Sequence, residues 1–267
     1  MSADQKLDFK YTLPERPTEP LFELPLTEIE VVLKNNVAMA QPDARTALWE
    51  LGKFYSSTRR HEPALDCLRQ SMALESDLDR KAGCVLAMGQ AMEHVGDFAA
   101  AARYYREAFA YEPSQTHTWY FIHNNLGYSL NQLGDFAQGE RYCRAATSID
   151  PRRPNAFKNL GLALQGQQRW EEAARCFVQA TQVEAADPRS LRHLEELLRA
   201  HPELDFQKEL KLCRSAVAHA WEKRAAVPAP VIKRGWRSRW FLLQNKLRVW
   251  LHRLLKGANR ADKDSKK

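Results

Sequence analysis

The sequence predicts an all-α solenoid of stacked helical hairpins, and three observations carry that prediction. One pattern with a period of about 34 residues runs through the middle of the chain four times. Each copy centres on a Gly that follows a large apolar residue: Leu51-Gly52, Met88-Gly89, Leu126-Gly127 and Leu160-Gly161. Small residues then return at constant offsets, first at Ala64, Ala101, Gly139 and Ala173, then at Ser71, Ala108, Ala146 and Ala180. A fixed period of this length describes one supersecondary unit that buries its apolar face only by stacking on its neighbours. Each predicted helix has about a dozen residues, too few to be stable alone in water, so the hairpins must stack.

The elements follow in order. Residues 1–25 hold Pro14, Pro17, Pro20 and Pro25 among polar and acidic residues. They read as an extended arm, and MSADQKLDFKYTLPERP has no apolar run of the kind that opens a secretory leader. Residues 26–44 form a capping helix, with Ile29, Val32, Leu33 and Val37 on one side. The third copy shows the hairpin most clearly. Leu126, Leu130 and Leu133 make the apolar face of a first helix, and Gly127 admits the second helix. Gly134 supplies the left-handed stop, Asp135 starts the next helix, and Pro151 ends it. Beyond residue 187 the small-residue landmarks disappear. Residues 188–226 read as two capping helices, one with Leu191, Leu194 and Leu198, the other with Leu210, Cys213, Val217 and Trp221.

This pattern resembles the tetratricopeptide repeat family. Copy two carries Met88, Gly89, Gly96, Phe98, Ala101, Tyr105, Ala108 and Pro113; copy four carries Phe157, Leu160, Gly161, Leu164, Trp170, Ala173, Phe177 and Ala180. In copy one Ser76 replaces the Pro, and in copy three Gly139 replaces an Ala. The copies are placed at 45–78, 82–115, 120–153 and 154–187, with residues 79–81 and 116–119 expected to lengthen turns. The resemblance implies a right-handed superhelix of repeats, with the first helix of each pair lining a concave surface that binds a protein or peptide partner. On that surface it places Asn124, Asn125, Tyr128, Gln132, Asn155, Lys158, Asn159 and Gln165. Asn125 and Asn159 share one register, where copies one and two carry Glu50 and Ala87. A side-chain amide both donates and accepts, so a short Asn ladder suits a peptide backbone. A Lys/Asn/Arg clamp for a carboxylate is not expected, because only Lys158 and the Asn residues resemble that set.

Net charge is +7, but eleven Lys or Arg and no acid lie between Lys223 and Ala261, leaving a mildly acidic body. Val227-Pro228-Ala229-Pro230 opens a stiff linker, 227–231. Residues 232–257 then read as a basic amphipathic helix. Trp236, Trp240, Leu243, Leu247, Trp250, Leu251 and Leu254 share one face, and Arg237, Arg239, Lys246, Arg248, Arg253 and Lys256 surround it. That composition suits an anionic membrane surface. Packing on the chain's own solenoid and calmodulin-type capture remain alternatives. Nucleic acid is disfavoured, since the cations flank a continuous apolar face rather than form a stripe. Residues 258–267 read as a frayed tail.

Five cysteines, Cys67, Cys84, Cys143, Cys176 and Cys213, have no CxxC spacing and read as small buried residues in a reducing compartment. Cys67, Cys143 and Cys176 are expected at equivalent packing positions of second helices. The sequence has no phosphate-binding Gly loop, GxSxG, HExxH or metal-spaced Cys/His cluster. No enzyme activity, cofactor, metal or small-molecule substrate is therefore expected. The expected function is a cytoplasmic adaptor, peripheral on a membrane through its basic helix. The alternatives are a soluble chaperone or assembly factor and an accessory subunit of a modifying enzyme.

Overall fold

The computed structural model describes residues 26–40 and 43–226, and every regular element among them is helical. The described elements fall into two compact units. The first holds α1 (Leu26–Met39), α2 (Arg45–Ser57) and α3 (His61–Leu74). The second, Glu75–Pro230, holds α4 (Leu78–Val95), α5 (Phe98–Ala108), α6 (Thr116–Gln132) and α7 (Phe136–Ile149). It continues with α8 (Pro154–Gly166), α9 (Trp170–Val183), α10 (Arg189–Ala200) and α11 (Gln207–Ala226). Among the described residues no helix is long and apolar enough to cross a membrane.

In the first unit α2 and α3 form a hairpin and α1 packs on α2 through Val32 and Leu33. Glu30 of α1 accepts from the Tyr55 hydroxyl at 3.1 Å and from Arg60 at 2.5 Å, and pairs with Lys34 at 2.7 Å. Lys34 foremost, then Arg60 and Tyr55, hold its carboxyl at about 2.

In the second unit the hairpins are α4/α5, α6/α7 and α8/α9, each stacked on the next, with α10 and α11 packed against α9. Asp77, Asp97 and Asp135 cap α4, α5 and α7 by accepting the backbone N–H three residues on. Where α4 ends, Gly96 N–H donates to Glu93 and Asp97 N–H to Met92. The same pair of bonds closes α6 at Gly134, α2 at Arg59 and α8 at Gln168. Thus one left-handed residue stops the first helix in all four copies, although only two copies use glycine there.

The repeat glycines set how closely each hairpin closes. A Cβ at Gly127 would meet Cys143 Sγ at 2.5 Å, and one at Gly161 would meet Phe177 Cε1 at 2.5 Å. Leu68 and Tyr105 fill the same place against Gly52 and Gly89. All five cysteines are free, and all but the half-buried Cys176 are buried.

Four sequence expectations are corrected. Residues 79–81 and 116–119 lengthen no turn; they lie within α4 and α6 as extra helical residues. Their own bonds explain this: Asp77 caps α4 one residue before Leu78, and Asp79 then accepts from the Ser114 N–H and hydroxyl. Leu133 is not on the apolar face of α6; it caps that helix and is 50% exposed. Cys143 alone of the three cysteines faces a repeat glycine, because Cys67 and Cys176 stand one residue earlier in their helices. Trp221 does not complete the α11 stripe: Leu210 and Cys213 are buried, but Trp221 is 47% exposed.

Candidate functional site

The first helices of the second unit touch directly, α4 on α6 and α6 on α8, so their facing side chains form one continuous row. Asn124, Asn125 and Asn159 meet within it. Asn159 Nδ2 donates to Asn124 Oδ1 at 3.0 Å, and Asn124 Nδ2 donates to Asn125 Oδ1 at 2.9 Å. Asn131, about two turns further along α6, donates to the Asn159 carbonyl at 2.8 Å. All four are buried. The amides therefore spend much of their capacity on one another, and the Oδ1 atoms of Asn131 and Asn159 are left without a partner. Both atoms are sealed from solvent, and a buried acceptor without a donor costs about 1–3 kcal/mol.

Gly139 explains the place of Asn131. A Cβ at residue 139 would collide with Asn131 Oδ1, so the missing methyl of copy three makes room for this amide.

Towards α4 the row becomes acidic. Glu93 accepts from the Ser129 hydroxyl at 3.0 Å. Burial raises its carboxyl to about 7, against the pull of Ser129 and Tyr105. The Tyr105 hydroxyl is fully buried and faces Glu93 and Asn125 without meeting hydrogen-bond geometry with any group. Half-buried Tyr128 stands beside it, edge-on to Phe98 with ring centres 5.8 Å apart.

Towards α10 the row becomes basic. Half-buried Lys158 makes a long 3.5 Å contact with Asn155 Oδ1, which Arg189 also approaches at 3.4 Å. Burial lowers the Lys158 ammonium, Arg189 adds to that, and Asp187 and Cys143 oppose it. Gln132 is exposed and Gln165 half-buried at the C-terminal ends of their helices, and neither joins these clusters.

Glu93, Tyr105, Ser129, Asn131 and Arg189 escaped the sequence reading. A signal existed for two of them. Ser56, Glu93, Asn131 and Gln165 share one register, four residues after each repeat glycine, and all are polar. His123 is a packing residue. It lies against Phe109, Trp119 and Tyr142 with ring centres 5.0, 5.9 and 5.9 Å away, and burial lowers its pKa. Among the described residues, no group of three or more His, Cys, Asp or Glu could hold a metal. The N-terminal arm, the linker, the basic helix with Trp236, Trp240 and Trp250, and the frayed tail all lie outside the described residues.

Residues 86–156 match the tetratricopeptide repeat family model. Among solved structures, BtubC (BKLC) from P. vanneervenii aligns with TM-score 0.61 at 17% identity, over 80% of this chain and 97% of its own. A MamA from strain RS-1, an ArsTM double mutant, aligns with TM-score 0.52 at 16% identity, over 68% of this chain and 97% of its own. At these identities both are likenesses of fold. No curated protein matches the sequence.

Proposed function

We propose that this chain, a member of the tetratricopeptide repeat family, is a non-enzymatic scaffold that holds an extended segment of a partner protein along α4, α6 and α8. The observation that carries the reading is the linked amide row. Asn125, Asn124 and Asn159 join two successive first helices by side-chain amide bonds. Such a row recognises backbone without reading side chains, and polar groups already held in place lose little entropy on binding. Peptides selected from a random display library on the full chain test it. Their binding is expected to weaken in Asn125→Ala and Lys158→Ala. Unchanged affinity in both variants would remove the groove.

The scaffold is tethered, in this proposal, to an anionic membrane face through residues 232–257. Three Trp and a surplus of Lys and Arg support that reading, each cation near such a surface contributing about 1 kcal/mol. Co-sedimentation with anionic vesicles is expected for the full chain and not for a chain ending at Ala226. Equal sedimentation of the two would end the tether.

A further inference from the structure

Glu93 differs from four other half-buried acids among the described residues. Glu30, Glu140, Asp150 and Asp187 each meet an Arg or Lys at ion-pair distance. Glu93 meets hydroxyls. Ser129 of α6 donates to it, and the Tyr105 hydroxyl of α5 points at it. Tyr128 of α6 feels its charge, and Asn125 of α6 acts on the same Tyr105 hydroxyl; its sequence neighbour His94 is exposed. Neither Lys nor Arg is among the groups acting on the carboxylate.

A buried carboxylate without a cation is costly, and removing that cost is a source of selective binding energy. Glu93 is half-buried rather than sealed, on a first helix in contact with the amide row. The Tyr128 and Phe98 rings beside it are surfaces on which the alkyl stem of a long cationic side chain packs.

We propose that Glu93 determines specificity in the groove by receiving a Lys or Arg side chain of the bound segment. The inference rests on the scaffold reading and adds the chemistry of the partner at one place. The ammonium or guanidinium hydrogen-bonds to the carboxylate next to Ser129, while the backbone of the segment continues past Asn125. Because Glu93 is about half ionised near pH 7, arrival of the cation completes its ionisation and releases a proton.

The test uses the full chain and its Glu93→Gln variant, which keeps the side-chain shape and an acceptor for Ser129. Both are panned against the same random dodecapeptide library. Binders of the unsubstituted chain are expected to share a Lys or Arg at one aligned place, and binders of Glu93→Gln are expected to lack it. Replacing that residue by norleucine in a selected peptide, with the protein unchanged, is expected to weaken binding roughly tenfold to a hundredfold. The norleucine arm needs no variant to fold. Affinity for the basic peptide is expected to rise between about pH 6 and about pH 8, and to stay level for Glu93→Gln. Binders without a basic preference, or one that survives in Glu93→Gln, would overturn the inference and leave the groove standing. A library that yields no binder to either protein would overturn both.

Discussion

Asn159 of α8 donates its side-chain amide to Asn124 of α6 at 3.0 Å, and Asn124 passes a second bond to Asn125. The two residues in repeat register thus communicate through a third that is not in register. Asn124 is the centre of the row, since both neighbours depend on it.

Replacing Asn124 by Ala is accordingly expected to be more damaging than replacing Asn125. It strands the Asn159 donor and removes the donor to Asn125, costing about 1–3 kcal/mol. Urea unfolding of the two variants checks the order. Equal midpoints would mean that water replaces the amide.

Gly139→Ala restores the residue the family favours and improves helix propensity by about 1 kcal/mol. It is nevertheless expected to lower stability, because the new methyl meets Asn131 Oδ1. Adding Asn131→Ala is expected to reverse the sign, and a double-mutant cycle reads the coupling. Additive effects would show that the two side chains do not compete for space.

Gln168 holds φ at 62° in the place where copies two and three have glycine. A left-handed L-residue costs about 1–2 kcal/mol, partly offset by the greater unfolded freedom of glycine. Gln168→Gly is therefore expected to stabilise the chain by roughly 0.5–1 kcal/mol, seen as a higher unfolding midpoint.

Glu93 links stability to pH. Its folded pKa, about 7, lies above the ordinary 4.5, so protonation favours the fold. That contribution is complete below about pH 4.5 and is lost as pH rises through about 7. The loss is at most about 3 kcal/mol by pH 8 and above. Glu93→Gln is expected to flatten this part of the profile and to be the more stable protein in mild alkali. A parallel pair of stability curves between about pH 5 and about pH 8 would place the carboxyl in water.

Helix identity was legible at every hairpin, because the Gly and Ala landmarks report a backbone approach that only small residues permit. Asp77, Asp97 and Asp135 are caps for reasons that lie within three residues of each. The extra residues before copies two and three were misread as turn. Local signals do not reveal that Asp79 reaches a serine 35 residues away. Asn125 and Asn159 were found by register. Glu93 was passed over because a carboxylate on a helix is ordinarily solvated, and only its neighbours make it otherwise.

The period and the small residues by themselves determined the all-α repeat architecture, since a short helix with one apolar stripe has no stable alternative to stacking. Tertiary structure alone decided what the buried amides and Glu93 do. Whether an amide bonds its neighbour or meets an arriving chain depends on distances between helices far apart in sequence. Whether a carboxylate carries charge depends on how much water those helices exclude. Asn131 and Gly139, eight residues apart on different helices, became one feature only when the hairpin closed.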